Sequence, residues 1–151
     1  MAELSELLLL QMQKGGRAKL TVTGGSMLPM LRPKRDAVEL IELRTAPGRG
    51  DIILYLRENG QYVLHRIIAV KETGYLCSGD NQHVREPVTR DQILAVVDGF
   101  IRKGKHRSIR DFGYRLYKTL WLWGFPLRGV YIALRRRLGK LRRKWKKRKN
   151  P

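Results

Sequence analysis

The sequence predicts a mainly β domain, a closed or half-closed barrel of hairpins, with a short helix before it and basic amphipathic helices after it. Two patterns support this fold class. Between residues 19 and 101, short strand-like runs alternate with turn-forming residues. After residue 105, apolar residues recur at intervals of three and four, which is the period of a helix.

Charge divides the chain at the same place. Of the 151 residues, the first 100 contain 13 Lys or Arg and 12 Asp or Glu, whereas the last 51 contain 19 Lys or Arg and one acid, Asp111. This length leaves room for one domain with a hydrophobic core, and not for a second of similar size. We therefore expect a globular domain over residues 1–105 and a basic helical tail over residues 106–151 that binds an anionic partner.

Each element of the domain follows from local sequence. Residues 2–13 read as a helix that ends at Gly15 and Gly16, with its apolar residues Leu4, Leu7, Leu8 and Met12 available to cover the domain. The predicted strands are residues 19–23, 37–43, 52–57, 62–70, 75–78 and 93–101. The third and fourth strands pair as a hairpin across Asn59 and Gly60, because both positions of an Asn-Gly turn tolerate positive φ.

The tail is predicted to contain two amphipathic helices. The first begins near Ser108, and its apolar stripe is Ile109, Phe112, Leu116, Leu120 and Trp123. Residues 124–126 interrupt it, and the second stripe is Leu127, Tyr131, Leu134, Leu138, Leu141 and Trp145, with Arg and Lys on the other face. No stretch of the sequence reaches the ~20 apolar residues that span a bilayer.

Ser26 stands out as a candidate nucleophile. A predicted strand delivers it into a turn formed by Gly24 and Gly25, which exposes the hydroxyl and lets nearby backbone N–H groups point at a substrate oxygen. Met27 and Pro29 then supply an apolar wall for substrate. A serine hydroxyl needs a base to accept its proton, so a histidine is expected nearby.

His65 is the candidate base. By strand alternation it shares a face with Val63 and Ile67, and an apolar setting keeps imidazole neutral at pH 7. A histidine on such a face is also compatible with a purely structural core position. Asp80 and Glu86 are rival carboxylates for orienting it, and spacing alone does not choose between them. The single cysteine, Cys77, is expected to be a small buried residue, and we expect neither a metal nor a cofactor.

These motifs together resemble the signal peptidase I superfamily. The matching segments are residues 25–29, Gly50-Asp51, residues 65–67 and Gly79-Asp80-Asn81, in the order that the family shows. The pattern is similar to the archaeal and endoplasmic-reticulum branch, in which the base is a histidine. The resemblance implies Ser26 as nucleophile, His65 as general base and an acid at or near Glu86. It also implies a signal-peptidase-like β-rich fold with a groove that accepts small residues before the cut.

The chain departs from the family pattern in its membrane attachment. Family enzymes carry a transmembrane helix before the serine, whereas the 25 residues before Ser26 hold no apolar stretch of ~20 residues and cannot span. We expect instead a peripheral protein at the cytoplasmic face, bound to anionic lipid through Trp121, Trp123, Tyr131 and Trp145 and the surrounding Lys and Arg. Nucleic acid is the less favoured partner for the same helices, because aromatic residues are interleaved with the basic ones.

The expected function is that of a serine endopeptidase of signal peptidase type. It would cleave an extended peptide or preprotein after small residues with a Ser26–His65 dyad supported by an acid. Two alternatives stay open from sequence. One is a cytoplasmic protease that matures ribosomally made peptides, and the other is a catalytically inactive protein that binds membrane or nucleic acid.

Overall fold

The computed structural model describes residues 2–127 and 129–130. Within these residues the protein is mainly β, which confirms the predicted fold class: eight strands form one antiparallel sheet, with one α-helix before it and one after it. The second predicted tail helix, with Tyr131 and Trp145, lies outside the described residues. No helix in the described part is long and apolar enough to cross a bilayer.

The six predicted strands are all present, and two short strands were missed. The elements are α1 (Ala2–Gly15), β1 (Ala18–Thr21), β2 (Ala37–Ile41), β3 (Ile52–Leu56), β4 (Tyr62–Lys71), β5 (Gly74–Ser78), β6 (Glu86–Val88), β7 (Ile93–Arg102), β8 (Lys105–Ser108) and α2 (Phe112–Gly124), followed by a 3-10 turn at Phe125–Leu127. Strand β6 escaped prediction because it is three residues long and contains Pro87. Strand β8 escaped because its four residues are all polar.

The strands are ordered β1-β2-β7-β3-β4-β5-β6, and β8 pairs with β7. The predicted β3–β4 hairpin is present, with Gly60 at φ 78° in its turn and His65 directly opposite Ile53. Because side chains alternate along a strand, β3 contributes to two separate cores. Its Ile52 and Leu54 enter the larger one, and its Ile53 and Tyr55 enter the smaller one.

The two cores lie on opposite faces of the sheet. The larger core joins α1, the strands β1, β2, β3 and β7, the loop after β1 and the first turn of α2. The smaller core lies between β3, β4, β5 and β6 and contains Cys77, which is fully buried. Burial raises the pKa of the Cys77 thiol to about 12, so it stays protonated at neutral pH. The described residues contain no cluster of His, Cys, Asp and Glu that could hold a metal ion.

A buried ion pair between Arg66 and Asp80 lies beneath α2. Both side chains are 0% exposed, and the guanidinium donates two hydrogen bonds of 2.9 Å to the carboxylate. Arg66 also donates to the carbonyl of Gly50 at 2.8 Å and to the hydroxyl of Tyr114 at 2.9 Å. These partners satisfy the donors that burial would otherwise leave unpaired.

Helix α2 closes over this pair with three aromatic rings. The rings of Tyr114, Tyr117 and Trp121 lie 5.7, 5.8 and 5.2 Å from the guanidinium carbon of Arg66. Tyr117 donates from its hydroxyl to the Asp80 carboxylate at 2.9 Å, and the Trp121 indole donates to the Asp80 carbonyl at 3.4 Å. The helix therefore packs on the sheet through a desolvated cation and its counter-ion.

These contacts bear on two sequence-based predictions. The expected boundary after residue 105 falls inside β8, and α2 belongs to the packed domain because Tyr114 is part of the larger core. Trp121 is only 5% exposed, so it is unavailable to a membrane surface. The backbone of Gly50, at φ 94°, lies directly under α2, where an added Cβ would come within 2.8 Å of Lys118.

We predict that Asp80→Asn lowers the free energy of unfolding by about 3–5 kcal/mol, because it leaves the Arg66 cation buried without its counter-charge. Chemical denaturation monitored by circular dichroism measures this loss. Glu72→Gln, an exposed change in the turn between β4 and β5, is the control and should leave the midpoint unchanged. Equal midpoints for the two variants would contradict a structural role for the pair.

Candidate active site

We call residues 22–31 the serine loop. This loop follows β1 and leads towards β2, and backbone hydrogen bonds hold it in place. The N–H of Leu28 donates to the carbonyl of Gly25 at 3.3 Å, and the N–H of Leu31 donates to that of Met27 at 2.9 Å. Met27 is 1% exposed and anchors the loop in the larger core. These bonds fix the loop on both sides of Ser26.

The turn formed by Gly79, Asp80 and Asn81 packs directly against Ser26. The backbone N–H of Asn81 donates to the carbonyl of Ser26 at 2.7 Å, and its side-chain amide donates to the carbonyl of Gly25 at 3.4 Å. A Cβ at Gly79 would lie 2.7 Å from the same Ser26 carbonyl oxygen. Only glycine permits this approach, so the turn acts as a support for the serine loop.

His65 is held by a hydroxyl and not directly by a carboxylate. Its Nδ1 lies 3.0 Å from the hydroxyl of Tyr55, and that hydroxyl donates to Oε2 of Glu86 at 2.8 Å. The distance from Nδ1 to Oε2 of Glu86 is 3.7 Å, which is too long for a hydrogen bond. Since the phenolic proton is directed at Glu86, the hydroxyl accepts the proton of Nδ1–H. This network assigns the neutral tautomer whose lone pair is on Nε2, as a general base requires.

The electrostatics of this group favour a neutral imidazole. His65 is 4% exposed, and burial lowers its pKa to about 4, outweighing the opposing effect of the Glu86 charge. The guanidinium of Arg57 forms a two-pronged ion pair with Glu86, and its hydrogen bonds lower the pKa of that carboxyl. Burial and Glu86 raise the pKa of Tyr55, which therefore remains a phenol and a donor.

Ser26 and His65 line one cavity of about 470 Å³. The other lining residues come from the end of β1 and the serine loop, from the β3–β4 hairpin and from the turn after β5: Leu20, Thr21, Val22, Thr23, Gly24, Gly25, Met27, Leu54, Arg57, Gln61, Tyr62, Val63, Leu64 and Gln82. Strands β1 and β4 are separated by three others in the sheet, so the sheet must curl to bring them to one cavity. This curvature matches the half-closed barrel predicted from the sequence.

The structure distributes the predicted site residues unevenly. Ser26 and His65 line the same cavity, and Glu86 is linked to His65 through the hydroxyl of Tyr55. Asp80 pairs with Arg66 instead, so its carboxylate holds the fold while its neighbour Asn81 holds Ser26.

The predicted apolar wall is only half present. Met27 lines the cavity, but Pro29, which follows a cis peptide bond, does not. The predicted interfacial residue Trp123 is 83% exposed on α2 and does not line the cavity.

Tyr55 is the functional residue that sequence reasoning missed. Within β3 it reads as an apolar strand residue, because Ile52, Ile53 and Leu54 precede it. The signal that could have found it is the hairpin register. Once Ile53 lies opposite His65, strand alternation places Tyr55 on the same face, two pairs further along and opposite Val63.

Comparison with known proteins adds no identity to this geometry. No protein-family model matches the chain, and no curated protein matches it either. The resemblance to signal peptidases therefore rests on the motifs and stays a prediction.

We predict that Gly79→Ala disturbs the serine loop without unfolding the protein, because the new methyl group would displace the Ser26 backbone. A displacement of about 1 Å at a reacting group costs about a hundredfold in rate. Labelling of Ser26 by a fluorophosphonate should slow by that factor, while the circular dichroism spectrum is retained. Gly113→Ala is the control, since a Cβ there meets nothing within 4 Å. Wild-type labelling of the Gly79→Ala protein would show that the turn does not position Ser26.

Proposed function

We propose that the protein is a serine endopeptidase of the signal peptidase type, with Ser26 as nucleophile and His65 as general base. The observation that carries the proposal is the arrangement around His65. Its Nδ1 is engaged by Tyr55, its ring is neutral, and it lines the same cavity as a serine on a supported glycine turn. A histidine with only a structural role in the core does not require this combination of an engaged Nδ1, a neutral ring and a shared cavity with a serine.

In the proposed reaction, Oγ of Ser26 attacks the scissile carbonyl carbon while Nε2 of His65 accepts its proton. The new imidazolium donates its Nδ1–H to the hydroxyl oxygen of Tyr55, and the Tyr55 O–H keeps its proton and continues to donate to the Glu86 carboxylate. The negative charge of Glu86 stabilises the imidazolium through this phenol. The imidazolium then donates its proton to the leaving amine, and an acyl-enzyme on Ser26 remains for hydrolysis by water.

The cavity favours an extended peptide substrate. Strand β1 stands at one end of the strand order, and its residues Leu20 and Thr21 lead into the cavity at Ser26. An extended peptide can pair with such an edge through main-chain hydrogen bonds. The residues that line the cavity include the aliphatic side chains of Val22, Leu54 and Leu64. We infer that small apolar residues precede the scissile bond.

Ser26→Ala and His65→Ala should each abolish cleavage of an internally quenched peptide carrying alanines before the scissile bond. Either change removes half of a coupled pair, so each should cost about as much as both together. The fluorophosphonate should label the wild-type chain and not the Ser26→Ala chain. His83→Ala, an exposed histidine outside the cavity, serves as the control and should retain full turnover.

The pH profile gives this experiment a second readout. Protonation of His65 removes the base, and its pKa lies near 4, so kcat/KM should hold from neutral pH downwards and fall only as the pH approaches that value. Near-full turnover of His65→Ala would refute the dyad. A wild-type chain that neither cleaves peptides nor reacts with the probe would refute the proposed activity.

Tyr55→Phe and Glu86→Gln should lower kcat by about a hundredfold with little change in KM, because the phenol and carboxylate act on an imidazolium that exists only during the reaction. Steady-state kinetics separate the two constants. Tyr75→Phe is the matched control, since Tyr75 is buried in the same core but lies outside the cavity. Wild-type kcat in both Tyr55→Phe and Glu86→Gln would remove this relay from the mechanism.

A further inference from the structure

Helix α2 and the turn after it carry an apolar face that the rest of the described protein does not cover. Six large side chains on this face are exposed by 49–83%, and they are Phe112, Leu116, Leu120, Trp123, Leu127 and Val130. We call this set the outer stripe. The buried face of α2, with Tyr114, Tyr117 and Trp121, already packs on the domain.

The two faces lie on opposite sides of the helix. An α-helix turns through roughly 100° per residue, so positions 112, 116, 120 and 123 fall within about 80° of one another. Positions 114, 117 and 121 fall within about 60° on the other side. The inner contacts therefore fix the orientation of α2 and leave the outer stripe pointing away from the protein.

The charge around the outer stripe is strongly positive. Asp111 is the single acid after residue 100, against 19 Lys or Arg in the same segment. Eleven of those basic residues follow Val130 directly in the sequence. An apolar stripe joined to a cationic segment is complementary to a bilayer of acidic phospholipid, because the headgroups are anionic and the acyl chains beneath them are apolar.

Two other occupants fit these observations less well. A helix that binds nucleic acid through phosphates presents Lys and Arg outwards, whereas the outward face of α2 presents Phe, Leu and Trp. A second copy of the chain would bring another excess of 18 positive charges to the same face, and this repulsion opposes pairing.

We propose that the outer stripe is the membrane-docking surface of this protein, inserted among the acyl chains of an anionic bilayer while the Lys and Arg around it bind headgroups. Docking through the outer stripe would leave the contacts of Tyr114, Tyr117 and Trp121 with the domain unchanged. The proposal does not depend on the peptidase activity.

The test is co-sedimentation of the full chain with vesicles of phosphatidylcholine alone or with phosphatidylglycerol added. The wild-type chain should bind the anionic vesicles, and salt should weaken this binding without abolishing it, because salt does not screen the apolar part. The double variant Leu120→Ser/Trp123→Ser should bind at least about tenfold more weakly, since two large apolar groups no longer leave water. Both positions are exposed, so the fold should survive the changes, as thermal unfolding can verify.

The control variant is Val70→Ser/Val84→Ser, which removes two exposed apolar residues that are not part of the outer stripe and should bind like wild type. Equal binding by the two double variants, or no vesicle binding by the wild-type chain, overturns the proposal. So does self-association or duplex RNA binding that is lost in the Leu120→Ser/Trp123→Ser chain while vesicle binding is unaffected. The Ser26→Ala chain should bind vesicles normally. A wild-type chain that docks on vesicles but neither cleaves peptides nor reacts with the fluorophosphonate would refute the peptidase alone.

Discussion

The ion pair between Arg66 and Asp80 is the interaction on which the arrangement of this protein depends. Removing two charges from water costs several kcal/mol per ion, and their attraction offsets this only when every donor is satisfied. Here the guanidinium finds the Asp80 carboxylate, the Gly50 carbonyl and the Tyr114 hydroxyl, with aromatic rings on its faces. A pair so placed favours this position of α2, since Tyr114 and Tyr117 of the helix supply two of its hydrogen bonds.

The same pair connects the helix to the reactive serine. Asp80 receives the Tyr117 hydroxyl and the Trp121 indole from α2, and the next residue, Asn81, binds the Ser26 carbonyl through its backbone. Two adjacent residues, Asp80 and Asn81, therefore connect the helix to the serine loop. A movement of α2 relative to the sheet would displace this turn, so the position of α2 is coupled to that of Ser26 in the cavity.

Much of the fold follows from the sequence, because period and turn chemistry are local properties. The six predicted strands, the Asn59-Gly60 hairpin and the glycine turn at Ser26 all depend on neighbours within a few residues. The role of Asp80 could not be read in this way. Its partner Arg66 is fourteen residues away on another strand, and a Gly-Asp-Asn segment looks like any exposed turn.

Helix α2 shows which contacts of the tail were not predicted from the sequence. Its apolar residues at intervals of three and four define the outer stripe, and sequence reasoning takes such a stripe as the important face. The buried face uses Tyr114, Tyr117 and Trp121, whose polar tips and π-faces suit a cation. A helix that buries aromatic residues around a charge and exposes a stripe of large apolar side chains therefore inverts the usual pattern.

Strand β4 contains two adjacent residues, His65 and Arg66, that require different charge states. The imidazole must be neutral to serve as a base, and the guanidinium must remain charged to hold Asp80. Strand alternation separates them onto opposite faces of the sheet. Burial without a direct carboxylate partner keeps His65 neutral, whereas burial with Asp80 keeps Arg66 charged. If a carboxylate took the place of Tyr55 beside the imidazole, the pKa of His65 would rise, so the intervening phenol preserves a neutral base next to an acid.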